Sequence, residues 1–276
     1  MDIGIVSRTY NRSVEETARA IAENGFRWTE LCLSSSDADY WRYNARGDIS
    51  GLTDSRMTEI ISVYRKHGVE VTSLGCFTNL LEPDDEQRGQ NIDYFIRHMR
   101  WAAQNGVPSV ATECGFVPGR RGIQADTYEQ DFARILDSVK ILAETGEQLG
   151  VDVCLEPCVI DVIPSAKRMR DFIGQVGSNR VRVLLDPANL IANSSEEDMF
   201  RYLAPYIAYF HGKDRKVNDC YGRAVGDGDI DWPLFLSLYH EYTQGLPFIL
   251  EYVTPENCVD IKQRVLAFDK QVKRSM

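Results

Sequence analysis

The chain has 276 residues, 43% of them hydrophobic and 26% charged, which permits a large buried core and excludes global disorder. Its 31 Lys+Arg against 41 Asp+Glu leave a net charge of -10, a balance that disfavours non-specific binding to nucleic acid or to an anionic membrane. No uncharged apolar stretch approaches the roughly 20 residues that span a bilayer, and the first residues lack the basic start and apolar run of a signal peptide. The seven cysteines, Cys32, Cys76, Cys114, Cys154, Cys158, Cys220 and Cys258, are scattered, odd in number and without a CxxC pair. They read as reduced thiols of a cytoplasmic protein.

Short apolar runs alternate with longer amphipathic stretches. The first run is Ile3–Ser7. Ser13 with Glu16 three residues on then resembles a capping box before a helical segment, and Gly25 sits where a C-cap glycine belongs. Trp28–Ser34 is the second run. It leads into a long polar loop, Ser35–Ile49, with Tyr40, Trp41 and Tyr43, which reads equally as a lid or as a decorated surface loop. Val69–Gly75 and Ser109–Glu113 follow. Leu136, Val139, Leu142 and Ala143 form an apolar stripe at helical spacing that Gly150 ends. Val151–Glu156, Val181–Asp186 and Ala208–His211 come next. Asp231 with Pro233 in the first turn opens another helix, and Phe248–Tyr252 is the last strand-length run. Alternating strands and helices imply a parallel sheet. Eight repeats in about 270 residues suit a closed (β/α)8 TIM barrel forming one domain over 1–276, with an open doubly wound sheet as the alternative.

The last four of these runs each carry, at or beside their end, a residue that can bind a metal: Glu156, Asp186, His211 and Glu251. Pro157 and Pro187 follow the first two acids directly. Proline holds its predecessor extended and removes a ladder donor, which places each acid at the end of its strand. In a parallel barrel the C-terminal strand ends share one rim, where barrel active sites lie. A carboxylate there is costly unless it is paired or bound to a cation, and three together repel one another. One divalent ion removes the repulsion and uses all four side chains as ligands. The alternative is a rim of ordinary salt bridges.

The ordered set Leu155-Glu156-Pro157, Leu185-Asp186-Pro187-Ala188-Asn189, His211-Gly212-Lys213-Asp214, Gly226-Asp227-Gly228-Asp229-Ile230-Asp231-Trp232 and Leu250-Glu251-Tyr252 resembles the sugar isomerase/epimerase group of xylose-isomerase-like barrels over essentially the whole chain. The resemblance implies metal-binding roles for Glu156, Asp186, His211 and Glu251. Several ketose epimerases of the group carry a histidine three residues after the strand-end aspartate. Here that position is Asn189, which can hydrogen-bond a substrate hydroxyl but not become cationic. Some also place an arginine six residues beyond the histidine; here that position is Val217, with Arg215 and Arg223 nearby.

Three carboxylates and one imidazole suit Mn²⁺ first, with Mg²⁺, Co²⁺ or Zn²⁺ as alternatives. Such an ion acts as a Lewis acid on a substrate carbonyl and stabilises an enediolate, while Glu156 and Glu251 serve as the acid/base pair. The expected substrate is a keto sugar, a sugar phosphate or a cyclic polyol ketone, and the reaction an epimerisation or isomerisation, with dehydration of an inosose-type substrate as the alternative. Arg8, Glu113, Asn189, Lys213 and Arg215 are candidate substrate contacts. Glu30 reads as a structural pairing inside the barrel, Cys154 and Cys158 as small apolar filling, and His67, His98 and His240 as surface or satisfied histidines. A DNA-repair endonuclease on the same barrel needs a histidine-rich three-zinc cluster and a cationic groove, which four histidines and the acidic balance disfavour. A non-catalytic sugar-binding subunit that keeps the metal is a further rival, and barrels of this group often pair as homo-oligomers.

Overall fold

The computed structural model describes residues 1–120, 122–243 and 245–275. The strands are β1 (Ile3–Ile5), β2 (Trp28–Leu31), β3 (Ser34–Ser35), β4 (Ala38–Asp39), β5 (Glu70–Gly75), β6 (Ser109–Glu113), β7 (Asp152–Glu156), β8 (Val181–Leu185), β9 (Ile207–Gly212) and β10 (Phe248–Leu250). Eight of them form one sheet in the order β1-β10-β9-β8-β7-β6-β5-β2, with every pairing parallel. Helices follow the strands in alternation, so the chain is a nearly closed (β/α)8 barrel rather than an open doubly wound sheet.

The seam between β1 and β2 closes without a regular ladder. Arg27 N donates to Ile3 O at 3.4 Å, and the Thr29 hydroxyl donates to Ile5 O at 2.7 Å. Ser7 Oγ bridges both backbone groups of Cys32, donating to its O at 3.0 Å and accepting from its N at 2.9 Å. Gly4 makes the approach feasible, because a Cβ there would lie 2.4 Å from Trp28 O.

The helix signals operate as their chemistry dictates. Ser13 caps Val14–Glu23 with both halves of the capping box present. Gly150, at φ 72, ends Tyr128–Leu149 in the left-handed conformation. Asp231 caps Trp232–Tyr242 and accepts from Leu234 N. Most of the core lies between barrel and helices. A second small layer fills the barrel interior from Val6, Ala111, Cys154, Leu184, Tyr209 and Ile249 and forms a floor beneath the C-terminal rim.

Several boundaries differ from expectation. Ser7 leaves the first strand for a short 3-10 turn, the second strand stops at Leu31, and the last stops at Leu250. Apolar residues beyond those points pack in rim loops rather than pairing. The loop expected over 35–49 begins as a hairpin, β3 with β4. It then crosses the C-terminal mouth and is tied to the helix Asp85–Gln104 through Arg46, which donates to Asn91 Oδ1 at 2.5 Å and Gln87 Oε1 at 2.8 Å. Among the described residues, all the cysteines are free thiols and no helix is long and apolar enough to cross a membrane.

Candidate metal and substrate site

Four strand ends deliver the expected side chains to one point. Glu156 is the last residue of β7 and His211 lies near the end of β9. Asp186 directly follows β8 and caps the short helix Pro187–Leu190, its Oδ1 accepting from Ala188 N at 2.9 Å. Glu251 directly follows β10, and its N donates to Gly212 O at 3.1 Å. Each of the four offers a ligand atom, and these atoms all lie within 4.8 Å of one another. All four residues are buried. His211 Nδ1 is 3.4 Å from Glu156 Oε1 and 3.6 Å from Glu251 Oε2 but makes no hydrogen bond. A buried nitrogen facing carboxylates without a bonded partner is the environment of a metal ligand.

The electrostatics follow from gathering acids out of water. Burial pushes the Asp186 carboxyl up to about 7 although Lys213 lowers it, and Glu156 and Glu251 add to the rise. Burial also raises Glu251, but Lys213, His211 and Arg8 together outweigh it and bring its carboxyl down to about 2. Burial works to lower His211 and Lys213, yet the surrounding carboxylates hold both well above their ordinary values. Lys213 Nζ lies 2.6 Å from Asp186 Oδ2 and 3.3 Å from Glu251 Oε2, while Arg8 pairs with Glu251 Oε1.

Lys213 is aimed by its neighbour. Asp214 is fully buried and accepts from Arg215 N at 2.8 Å, Gly226 N at 3.0 Å, Ile230 N at 3.3 Å and Trp232 Nε1 at 2.8 Å. A Cβ on Gly228 would lie 2.1 Å from Asp214 Oδ1. The His-Gly-Lys-Asp segment and the glycine-rich turn before Asp231-Trp232 are therefore two halves of one folded unit.

Above the four residues opens a cavity of about 240 Å³. Glu156, Lys213 and Glu251 line it, with Trp41, Tyr43 and Phe77 as an aromatic wall and Arg8, Glu113 and Tyr252 completing it. Trp41 meets Phe77 edge-on at 6.2 Å. Tyr43 donates to both Glu113 oxygens, at 2.7 and 2.8 Å. The loop over 35–49 thus forms one side of the mouth. Of the expected contact residues, Arg8, Glu113 and Lys213 line the cavity. Asn189 and Arg215 stand one layer back: Asn189 Nδ2 donates to Glu156 Oε1 at 2.9 Å, and Arg215 Nη2 donates to Asn189 Oδ1 at 3.1 Å.

Glu30 makes the expected pairing inside the barrel, and one of its partners is the histidine of the site. Its Oε2 accepts from Tyr209 at 2.5 Å and lies 3.1 Å from His211 Nε2. A charged residue in an otherwise apolar barrel strand was the available signal. The other histidines are elsewhere, His67 on Glu15 at 2.7 Å, His98 on Tyr94 O at 2.8 Å and His240 on Asp269 at 2.5 Å.

Residues 18–271 match a family model described as xylose isomerase-like TIM barrel. A D-psicose 3-epimerase of Ruminiclostridium cellulolyticum is 32% identical over 108 residues, covering 37% of this chain and 34% of that protein. The match thus spans about a third of the length of that curated relative. A crystal structure of D-psicose 3-epimerase with D-tagatose from Clostridium cellulolyticum H10 superposes with a TM-score of 0.73 at 20% identity, covering 99% of each chain. A crystal structure of IolI protein with a zinc atom superposes at 0.78 and 16% identity, again over 99% of each chain. At these identities the two structures speak for the fold.

Proposed function

This chain belongs to the xylose isomerase-like TIM barrel family, and on that premise we propose that it is a divalent-metal-dependent epimerase or isomerase of an unphosphorylated keto sugar. The observation that carries the reading is the convergence of Glu156, Asp186, His211 and Glu251, with ligand atoms within 4.8 Å, below a cavity of sugar size. The donor set fits one divalent ion: three carboxylates, one imidazole, and a buried His211 Nδ1 without a hydrogen bond. Oxygen-rich sets of this kind suit Mn²⁺, Mg²⁺ or Co²⁺, and one imidazole also admits Zn²⁺. Bound there, the ion supplies Lewis-acid stabilisation of the negative charge that develops when a carbon beside a carbonyl loses its proton.

The remaining work belongs to side chains. Glu156 and Glu251 come from strand positions three places apart around the barrel, and both line the cavity. In this reading one removes the proton from the carbon beside the carbonyl and the other returns a proton to the opposite face. Lys213, between Asp186 and Glu251, is a donor for a substrate oxygen. Glu113, held by Tyr43, accepts from a hydroxyl, and the aromatic wall excludes water. Arg8 and Lys213, the cations lining the cavity, are already paired with site carboxylates, which favours a neutral polyol over a phosphate ester.

The test is proton exchange in D₂O, followed by NMR, with metal-loaded protein and a panel of ketoses, inososes and their phosphates. Exchange at the carbon beside the carbonyl is expected for an unphosphorylated member and is expected to vanish in Glu251→Gln. Product signals separate inversion, carbonyl migration and loss of a hydroxyl. No exchange by any member of the panel, with one metal ion per chain, would leave a binding subunit as the better reading.

A further inference from the structure

We infer that Glu30 is a positioning residue for the metal site, holding the His211 ring so that Nδ1 alone faces the carboxylates; the inference rests on the metal reading above. Glu30 lies in β2, on the far side of the barrel from β7 and β8, and is fully buried. Strand alternation, the room left by Gly75 and the Tyr209 hydroxyl bring it there.

The ladder between β2 and β5 slips between Thr29 and Glu30: Thr29 pairs with Val71, but Glu30 pairs with Ser73. The extra residue, Thr72, lies on β5, while β2 runs on regularly, so Glu30 faces the barrel interior by ordinary strand alternation beside outward-packed Leu31. Gly75 on the neighbouring strand leaves the room, since a Cβ there would lie 2.9 Å from Glu30 Oε1 and 2.8 Å from Cys32 Sγ. Tyr209, from the interior layer beneath the site, donates its hydroxyl to Glu30 Oε2 at 2.5 Å. The same oxygen lies 3.1 Å from His211 Nε2. A carboxylate accepts only, so Nε2 must carry the hydrogen. Nδ1 is the remaining ring nitrogen, and it is the atom 3.4 Å from Glu156 and 3.6 Å from Glu251.

A buried carboxylate without a function is expensive. Here its charge has a use, because a carboxylate on the distal nitrogen fixes the tautomer, locks the ring plane and makes the ligating nitrogen more basic. Glu30 touches neither the cavity nor the four converging ligand atoms, so its effect passes through His211.

The experiment is a Mn²⁺ titration of the chelator-treated full chain, for wild type, Glu30→Gln, Glu30→Met and Tyr209→Phe, with metal-free thermal unfolding alongside. Removing the acceptor in Glu30→Met is expected to weaken Mn²⁺ binding by about 10–100-fold. Glu30→Gln keeps an acceptor oxygen without the charge and is expected to lose about tenfold, with a metal-free unfolding temperature close to wild type. Tyr209→Phe is expected to lose less than either. Should Glu30→Met not fold, Glu30→Gln decides. Folded variants that bind Mn²⁺ within about twofold of wild type would overturn the role of Glu30 while leaving the metal site standing. A wild type that binds no divalent ion would overturn both.

Discussion

Two cavities open at opposite ends of the barrel, about 350 Å³ where the strands begin and about 240 Å³ where they end. The larger one is lined by Trp28, Glu70, Ser109, Asp152, Arg182 and Pro247 among others, all at strand starts. Its Asp152 lies 3.0 Å from Arg180 and its Arg65 lies 3.7 Å from Glu70, while Arg182 donates to Ile207 O at 3.1 Å and leaves its buried Nε unbonded. The smaller one gathers three carboxylates and a histidine onto one point. Size does not separate the two mouths. What separates them is whether like charges are brought together at a cost that only a ligand offsets.

The largest expected difference between the ends is catalytic. Glu156→Gln and Glu251→Gln are each expected to lower proton exchange by about 10²–10⁴-fold, measured as deuterium incorporation. Asp152→Asn at the other mouth is expected to leave the rate within about twofold. Equal losses at both ends would remove the distinction.

Metal-linked stability comes next. A divalent ion at about 100 times its Kd is expected to stabilise the chain by about 2.7 kcal/mol, read as a rise in unfolding temperature that a chelator reverses. Arg182→Gln should keep that rise and Asp186→Asn should lose it. A smaller effect tests the loop over the mouth. Trp41→Ala is expected to raise KM about tenfold, roughly 1.4 kcal/mol, with kcat little changed, because the wall binds substrate and transition state alike. The smallest is Arg180→Ala. This pair is partly exposed, so its loss is expected to cost about 0–1 kcal/mol and to leave turnover and metal binding untouched.

These comparisons also mark what could be read from the sequence. Every barrel strand was legible as an apolar run, because parallel strands covered on both faces carry near-continuous apolar residues. Their ends were less so. Cys32 and Tyr252 continue the apolar texture but lie in rim loops, and Ser7 opens a short 3-10 turn; there hydrogen bonding rather than hydropathy decides the boundary. The converging quartet was legible because Pro157 and Pro187 mark two strand ends and the fold brings such ends to one rim. The aromatic wall and the Tyr43–Glu113 contact were not, since they depend on how one loop crosses the mouth. Glu30 and His211 are 181 positions apart, and no local pattern links them; they meet because the nearly closed barrel turns the inward faces of β2 and β9 towards one axis.

The most direct test of the account is to count metal. The chelator-treated chain would be reloaded with Mn²⁺, desalted and analysed for metal per folded protein, beside Asp186→Asn treated the same way. The account requires one ion per wild-type chain and a loss of that ion in the variant. No bound ion in the wild type, three ions per chain, or an ion that Asp186→Asn holds as tightly as wild type would contradict it.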